Sequence, residues 1–160
     1  MTNDEKIQLA AGHEGTFGTE AFRIISGVIG DDVHVVGLRI LEHAMIQAGF
    51  SVQSLGVMVT QNEFIDAALE TDAEAIVVSS MNGHGHVACI GFRDKCIERG
   101  LENIKLYVGG QLSIADEPWA AVKERYTSLG FDRVYPVRAS IRSFIDDVRS
   151  DLSSTRGNES

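Results

Sequence analysis

Ala75-Ile76-Val77-Val78 is apolar at four successive positions and runs straight into Ser79-Ser80. An alternating strand buries one face. A strand without alternation is buried on both, as the central strand of a parallel sheet is when helices cover its two sides. The rest of the chain supplies the elements such a sheet needs. Strand-like runs fall at about 24–30, 51–57, 105–110 and 133–137, with helical patterns between them. The first helical pattern sets Val36, Ile40, Leu41, Ala44, Met45 and Ala48 inward and stops at Gly49. Thr60-Gln61-Asn62-Glu63 is a capping box opening the second, with Phe64, Ile65, Ala68 and Leu69 inward. The third runs from the loop Met81-Asn82-Gly83-His84-Gly85-His86 to Gly100 and carries Cys89 and Cys96. Asp116 as cap and Pro118 as early helical proline open the fourth, which Gly130 closes. Ser140 caps the last, whose apolar side is Ile141, Phe144, Ile145, Val148 and Leu152.

Strands and helices in strict alternation, joined by short connections, predict an α/β fold. The expected form is a doubly wound, five-stranded parallel sheet, flavodoxin-like (Rossmann-like), in the order 2-1-3-4-5. Residues 1–22 read as an amino-terminal arm, 23–152 as one domain, and 153–160 as a disordered tail with nothing to bury. A net charge of −9 argues against nucleic acid and against an anionic membrane surface as partners. No apolar stretch is long enough to span a bilayer, and the first residues lack the basic and apolar regions of a signal peptide. On one helix, the two cysteines would stand about 10 Å apart, too far for a disulfide. Both read as free thiols, and the protein as cytoplasmic.

In a doubly wound sheet, ligands bind beyond the carboxyl ends of the strands, near the switch point between the first and third. Three unusual segments fall there: Asp32-Val33-His34-Val35-Val36-Gly37, Ser79-Ser80-Met81 and Gly109-Gly110. A histidine with a carboxylate two residues before it suits a metal ligand, because the carboxylate holds one imidazole nitrogen while the other faces the metal. Gly37 lets a bulky group approach the backbone. The small residues at the other two strand ends describe a trough suited to a long, partly polar ligand tail. Taken singly, each segment has a plainer reading. His34 alone could be a surface histidine at a helix start, Asp32 a helix cap, and Ser79 a strand-end hydroxyl. His84 and His86 read as solvated loop histidines, and His43 as structural. Asp31-Asp32 would suit a phosphate-accepting receiver domain, but such a site wants an aspartate where this chain has Ser79-Ser80. A flavin phosphate would be repelled by the two carboxylates.

Asp32-x-His34-x-x-Gly37, Ser79-x-Met81 and Gly109-Gly110 resemble the pattern of base-off, histidine-on cobalamin-binding proteins, with Met81 where that family usually has leucine. Gly27-Val28-Ile29-Gly30, Leu106-Tyr107-Val108-Gly109-Gly110 and Gly130-Phe131-Asp132-Arg133-Val134-Tyr135-Pro136 are similar, more narrowly, to the small (sigma) subunits of the glutamate mutase (methylaspartate mutase) family. The resemblance covers residues 25 to 150. It implies adenosylcobalamin as cofactor, His34 as lower axial cobalt ligand and Asp32 as its hydrogen-bonded partner. Asp31, Val33 and Val35 would flank that ligand. Gly37, Ser79, Ser80, Met81, Gly109 and Gly110 would line the site of the displaced nucleotide tail, with Ser79 bonding a nitrogen of its base. Gln111, Leu112, Ser113, Ile114 and Ala115 would touch the tail from the next loop. The resemblance further implies a large catalytic barrel subunit as partner in a heterotetramer, with L-glutamate bound at the interface and rearranged to threo-3-methyl-L-aspartate. The alternative is a corrinoid carrier or sensor serving a methyltransferase or another mutase. Methyl carriers usually have a long helical cap before the cobalamin fold, whereas about two dozen unpatterned residues precede the first strand here.

Overall fold

The structure, a computed structural model, describes residues 20–158. Its strands are β1 (Arg23–Val28), β2 (Ser51–Ser54), β3 (Ala75–Ser80), β4 (Lys105–Gly110) and β5 (Arg133–Pro136). Its helices are α1 (Val36–Gln47), α2 (Gln61–Thr71), α3 (Gly85–Ala88), α4 (Phe92–Glu98), α5 (Trp119–Ser128) and α6 (Ile141–Asn158). The sheet is parallel throughout, in the order β2-β1-β3-β4-β5. This is the doubly wound order expected from the sequence. Ala75 to Val78 of β3 are all buried, as their unbroken apolar run requires. One face of the sheet packs on Phe64, Phe92, Val122 and Tyr126 from α2, α4 and α5. The other packs on Met45 of α1 and on Phe144, Val148 and Leu152 of α6. The capping box of α2 is formed as expected: Thr60 accepts from the Glu63 amide, and the Glu63 carboxylate accepts from that of Thr60. Ser140 accepts from the Ser143 amide at 3.2 Å at the start of α6. No helix among the described residues is long and apolar enough to cross a membrane.

Four local expectations are corrected. α1 does not bury Val36 and Ile40, which are 74% and 56% exposed; its inward residues are Leu38, Glu42 and Met45. Glu42 goes inside because its carboxylate accepts from Ser54 Oγ at 3.1 Å and from the Arg39 guanidinium at 3.4 Å. Apolar spacing alone does not register a carboxylate that brings its own partners. The third helix is two helices. Gly91, with φ +79°, breaks it between α3 and α4, so Cys89 and Cys96 lie on separate pieces, both buried and both free. Pro118 is itself the N-cap of α5, and Asp116 stands outside the helix. The expected disordered tail is helix as far as Asn158. Arg156 explains it: the guanidinium binds both Glu74 carboxylate oxygens at 2.7 Å, donates to the Glu20 carbonyl at 2.8 Å and lies 4.2 Å from the Phe22 ring centre. A long-range ion pair leaves no hydrophobic signal in the tail itself. The arm up to Thr19, and residues 159–160, lie outside the described residues.

Candidate functional site

The carboxyl ends of β1, β3 and β4 meet at one edge of the sheet, and Asp32 ties the loops that leave them. Its side chain is 0% exposed. One carboxylate oxygen takes the His34 amide at 3.0 Å and His34 Nδ1 at 2.6 Å; the other takes the Met81 amide at 2.6 Å. Its backbone carbonyl accepts from the Met58 amide at 3.2 Å. Burial pushes the Asp32 carboxyl up, but the bonds from His34 and Met81 outweigh it and hold the group below the ordinary carboxylate range. An ionised carboxylate at 2.6 Å accepts a proton bond, so the tautomer that suits the neutral His34 ring has its hydrogen on Nδ1 and its lone pair on Nε2. The His34 side chain is 67% exposed, which leaves that lone pair facing outward.

Met81 carries the link onward, since its sulfur accepts from the Gln111 amide at 3.3 Å. Beyond it, Glu117 accepts from the Ile114 amide at 2.7 Å and from the Arg125 guanidinium, closing the loop over residues 111–117. The Arg125 bonds, helped by the Ile114 amide, lower the Glu117 carboxyl from 4.5 to about 2. The folded value lies below the unfolded one, so this contribution to loop order is complete above pH 4.5 and disappears as pH falls toward 2. A carboxyl-resolved NMR titration should therefore give Glu117 a midpoint of about 2. A midpoint at its ordinary value would mean that the Arg125 pair does not form.

The strand ends expected to form a trough converge on the face that packs on α1 and α6. In register, Val28, Ser79, Gly109 and Tyr135 form a row across four strands. A Cβ on Gly109 would stand 3.3 Å from that of Tyr135. Gly110 has φ +122°, and a Cβ there would overlap the Ser80 carbonyl oxygen. Around a Cβ built on Gly37 there is open space, so the room it leaves is on the outside of the protein.

The structure brings Asp32, His34, Ser79, Met81, Gly109 and Gly110 to this edge, with Asp31 and Val33 exposed and Val35 half-buried beside them. Gln111, Ile114 and Ala115 are exposed on the neighbouring loop, and Ser113 is half-buried. Two expected site residues point elsewhere. The Ser80 side chain turns to the opposite face, beneath Gly85 and next to the Tyr126 hydroxyl. Leu112 is 1% exposed and belongs to the core on that side. Sequence reasoning missed Met58. It holds Asp32 from behind with a left-handed backbone (φ +56°) that nothing in its side chain announces. It also missed the polar patch of Ser26, Ser54 and Glu42 under α1; a serine inside an apolar strand run was the available signal.

A family model described as the B12 binding domain matches residues 22–132. The glutamate mutase sigma subunit of Carboxydothermus hydrogenoformans is 47% identical over 129 residues, covering 81% of this chain and 94% of that one. The sigma subunit of Clostridium tetanomorphum is 46% identical over the same shares of both chains. Among solved structures, a cobalamin-binding protein from Desulfitobacterium hafniense superimposes with a TM-score of 0.66 at 20% identity over 82% of this chain. The chain spans 59% of that protein, and at this identity the likeness concerns the fold alone.

Proposed function

The chain belongs to the B12-binding family and, within it, to the glutamate mutase sigma subunits, and we propose that it is the adenosylcobalamin-carrying subunit of a glutamate mutase with His34 as the lower axial ligand of cobalt. The observation that carries the reading is the oriented imidazole. Asp32 holds Nδ1, and Nε2 faces out at the carboxyl edge of the sheet. The residues fit the cofactor in two further respects. The small residues Ser79, Gly109 and Gly110 stand together at adjacent strand ends, where a nucleotide tail would meet little side-chain bulk, and the space around Gly37 is open to a macrocycle.

Bound adenosylcobalamin would supply the radical chemistry that a rearrangement of L-glutamate to threo-3-methyl-L-aspartate requires. This chain's own residues bind and orient. Asp32 holds His34 by Nδ1, leaving Nε2 to the cofactor, and ties its loop to Met81. Ser79 presents a half-buried hydroxyl to the tail base. A large barrel subunit holds L-glutamate against the exposed edge, in an assembly of two small and two large chains. Exposed Val33, Val36, Ile40 and Met58 beside the site suit burial by cofactor and partner. Buried free thiols at Cys89 and Cys96 suit a reducing cytoplasm.

Absorbance titration of the purified chain with adenosylcobalamin, with and without the large subunit, tests the reading. The wild-type complex should keep the spectrum of nitrogen-ligated cobalt, the His34→Ala complex should turn base-off, and mutase activity should appear only in the mixture. A His34→Ala complex with the wild-type spectrum would contradict it. Asp32→Asn keeps the shape but weakens the hold on His34 and Met81. It should lower cofactor affinity or turnover about 10–100-fold, the usual cost of losing a ligand's hydrogen-bonded partner. An affinity and a rate equal to wild type would show that Asp32 is only a loop tie.

A further inference from the structure

Eight of the ten arginines bind a carboxylate or a backbone carbonyl, as an acidic chain allows. Arg138 and Arg142 make no hydrogen bond or ion pair among the described residues. Both are exposed, and they stand four residues apart where β5 gives way to α6. Asp146 lies at the spacing of a helical ion pair from Arg142 and is not bonded to it. The position of these two arginines costs stability. α6 is 18 residues long, and its amino-terminal end carries the positive pole of its peptide dipoles. Acids favour that end, yet the first turn holds none; Arg142 lies in it, and Arg138 stands two residues before the Ser140 cap. Two unpaired cations set against a helix dipole, in a chain of net charge −9, are not explained by the fold of the free chain.

Their surroundings describe what they lack. Val137 and Ile141, their neighbours in sequence, are exposed as well. Arginines set among exposed aliphatic side chains have the make-up of a protein contact, where arginine is enriched and apolar groups lose water. The patch opens at the carboxyl edge of the sheet. β5 ends there with Pro136 beside Gly110, and three strand spacings of about 4.8 Å separate it from β1, whose loop carries His34. This is the edge on which the proposed function sets the large subunit. Resting on that reading, we propose that Val137, Arg138, Ile141 and Arg142 form a docking patch for an acidic segment of the large subunit, in which carboxylates flank an apolar side chain. The phosphodiester of a cobalamin is the other anion that the reading brings to this edge, but it would leave Val137 and Ile141 in water.

The test is assembly of the holoenzyme from the full chain and the large subunit at saturating adenosylcobalamin, followed by mutase activity as the large subunit is titrated. Arg138→Ala combined with Arg142→Ala should raise the large-subunit concentration for half-activity about tenfold, the loss of two exposed ion pairs. Turnover at saturating large subunit should stay that of wild type, and added salt should weaken the wild-type assembly more steeply than the variant. The free Arg142→Glu chain should melt a few degrees above wild type, because an acid replaces a base at the positive end of α6, and should assemble still more weakly. A structural role would instead lower the melting temperature. A double variant that assembles as tightly as wild type, or an Arg142→Glu chain that melts lower, would overturn the assignment. So would a loss of cobalamin affinity in the free double variant, which would give the arginines to the cofactor's phosphate. The proposed function fails separately, if wild type binds no cobalamin or gives no mutase with the large subunit at any concentration.

Discussion

Replacing His34 with alanine should abolish cobalt coordination by the protein and lower holoenzyme activity more than about 100-fold, beyond the loss expected for its outer partner Asp32. The chain itself should fold as before. The His34 side chain is 67% exposed and makes a single side-chain hydrogen bond, to Asp32. Truncating it removes one bond from the buried Asp32 carboxylate, which keeps the His34 and Met81 amides, and should cost about 1 kcal/mol. Thermal unfolding of the free chain and turnover of the reconstituted enzyme, measured on the same preparation, separate the two effects. Lost turnover with a melting temperature lowered by only a few degrees places the effect in the chemistry. A His34→Ala enzyme as active as wild type would remove the metal-ligand assignment altogether.

Gly110→Ala should do the reverse, damaging the scaffold first. The residue has φ +122°, where L side chains are strained, and its Cβ would overlap the backbone carbonyl of Ser80 and stand 3.0 Å from Met81 Sδ. Backbone cannot swing aside as a flexible side chain can. The β3–β4 edge must open, at a cost of roughly 2–4 kcal/mol. For a chain of this size that lowers the melting temperature by roughly 5–15 °C. Ser79 pairs with Gly109 in the same ladder, so the trough should deform with the edge and cofactor affinity should fall as well. A variant with wild-type melting temperature would mean that the strand ends close less tightly than the structure shows.

The contrast between these two residues reflects what the sequence makes legible. β3 is readable from Ala75 to Val78 because both its faces are buried, and the order of the sheet follows from the alternation of elements. The ligand motif is readable because Asp32 and His34 interact two residues apart in one loop. Interactions that join distant parts of the chain are not readable. The Asp32–Met81 bond spans 49 residues, and the Arg156–Glu74 pair that orders the end of α6 spans 82. Glu42 enters the core because Ser54 and Arg39 satisfy it, which hydrophobic spacing reverses. Ser80 and Leu112 lie within the expected site segments, yet their side chains face the core opposite the trough. A motif specifies which segments converge; alternation along the strand decides which side chains arrive.

Electron paramagnetic resonance of the reduced, cobalt(II) complex, prepared with protein carrying nitrogen-15 only in histidine, tests the central claim most directly. Nitrogen-15 has a different nuclear spin from nitrogen-14, so the superhyperfine splitting on cobalt should change from a triplet to a doublet pattern when the axial nitrogen comes from the protein, and His34→Ala should remove it. A splitting that ignores the label, and therefore arises from the cofactor's own base, would contradict His34 as the ligand.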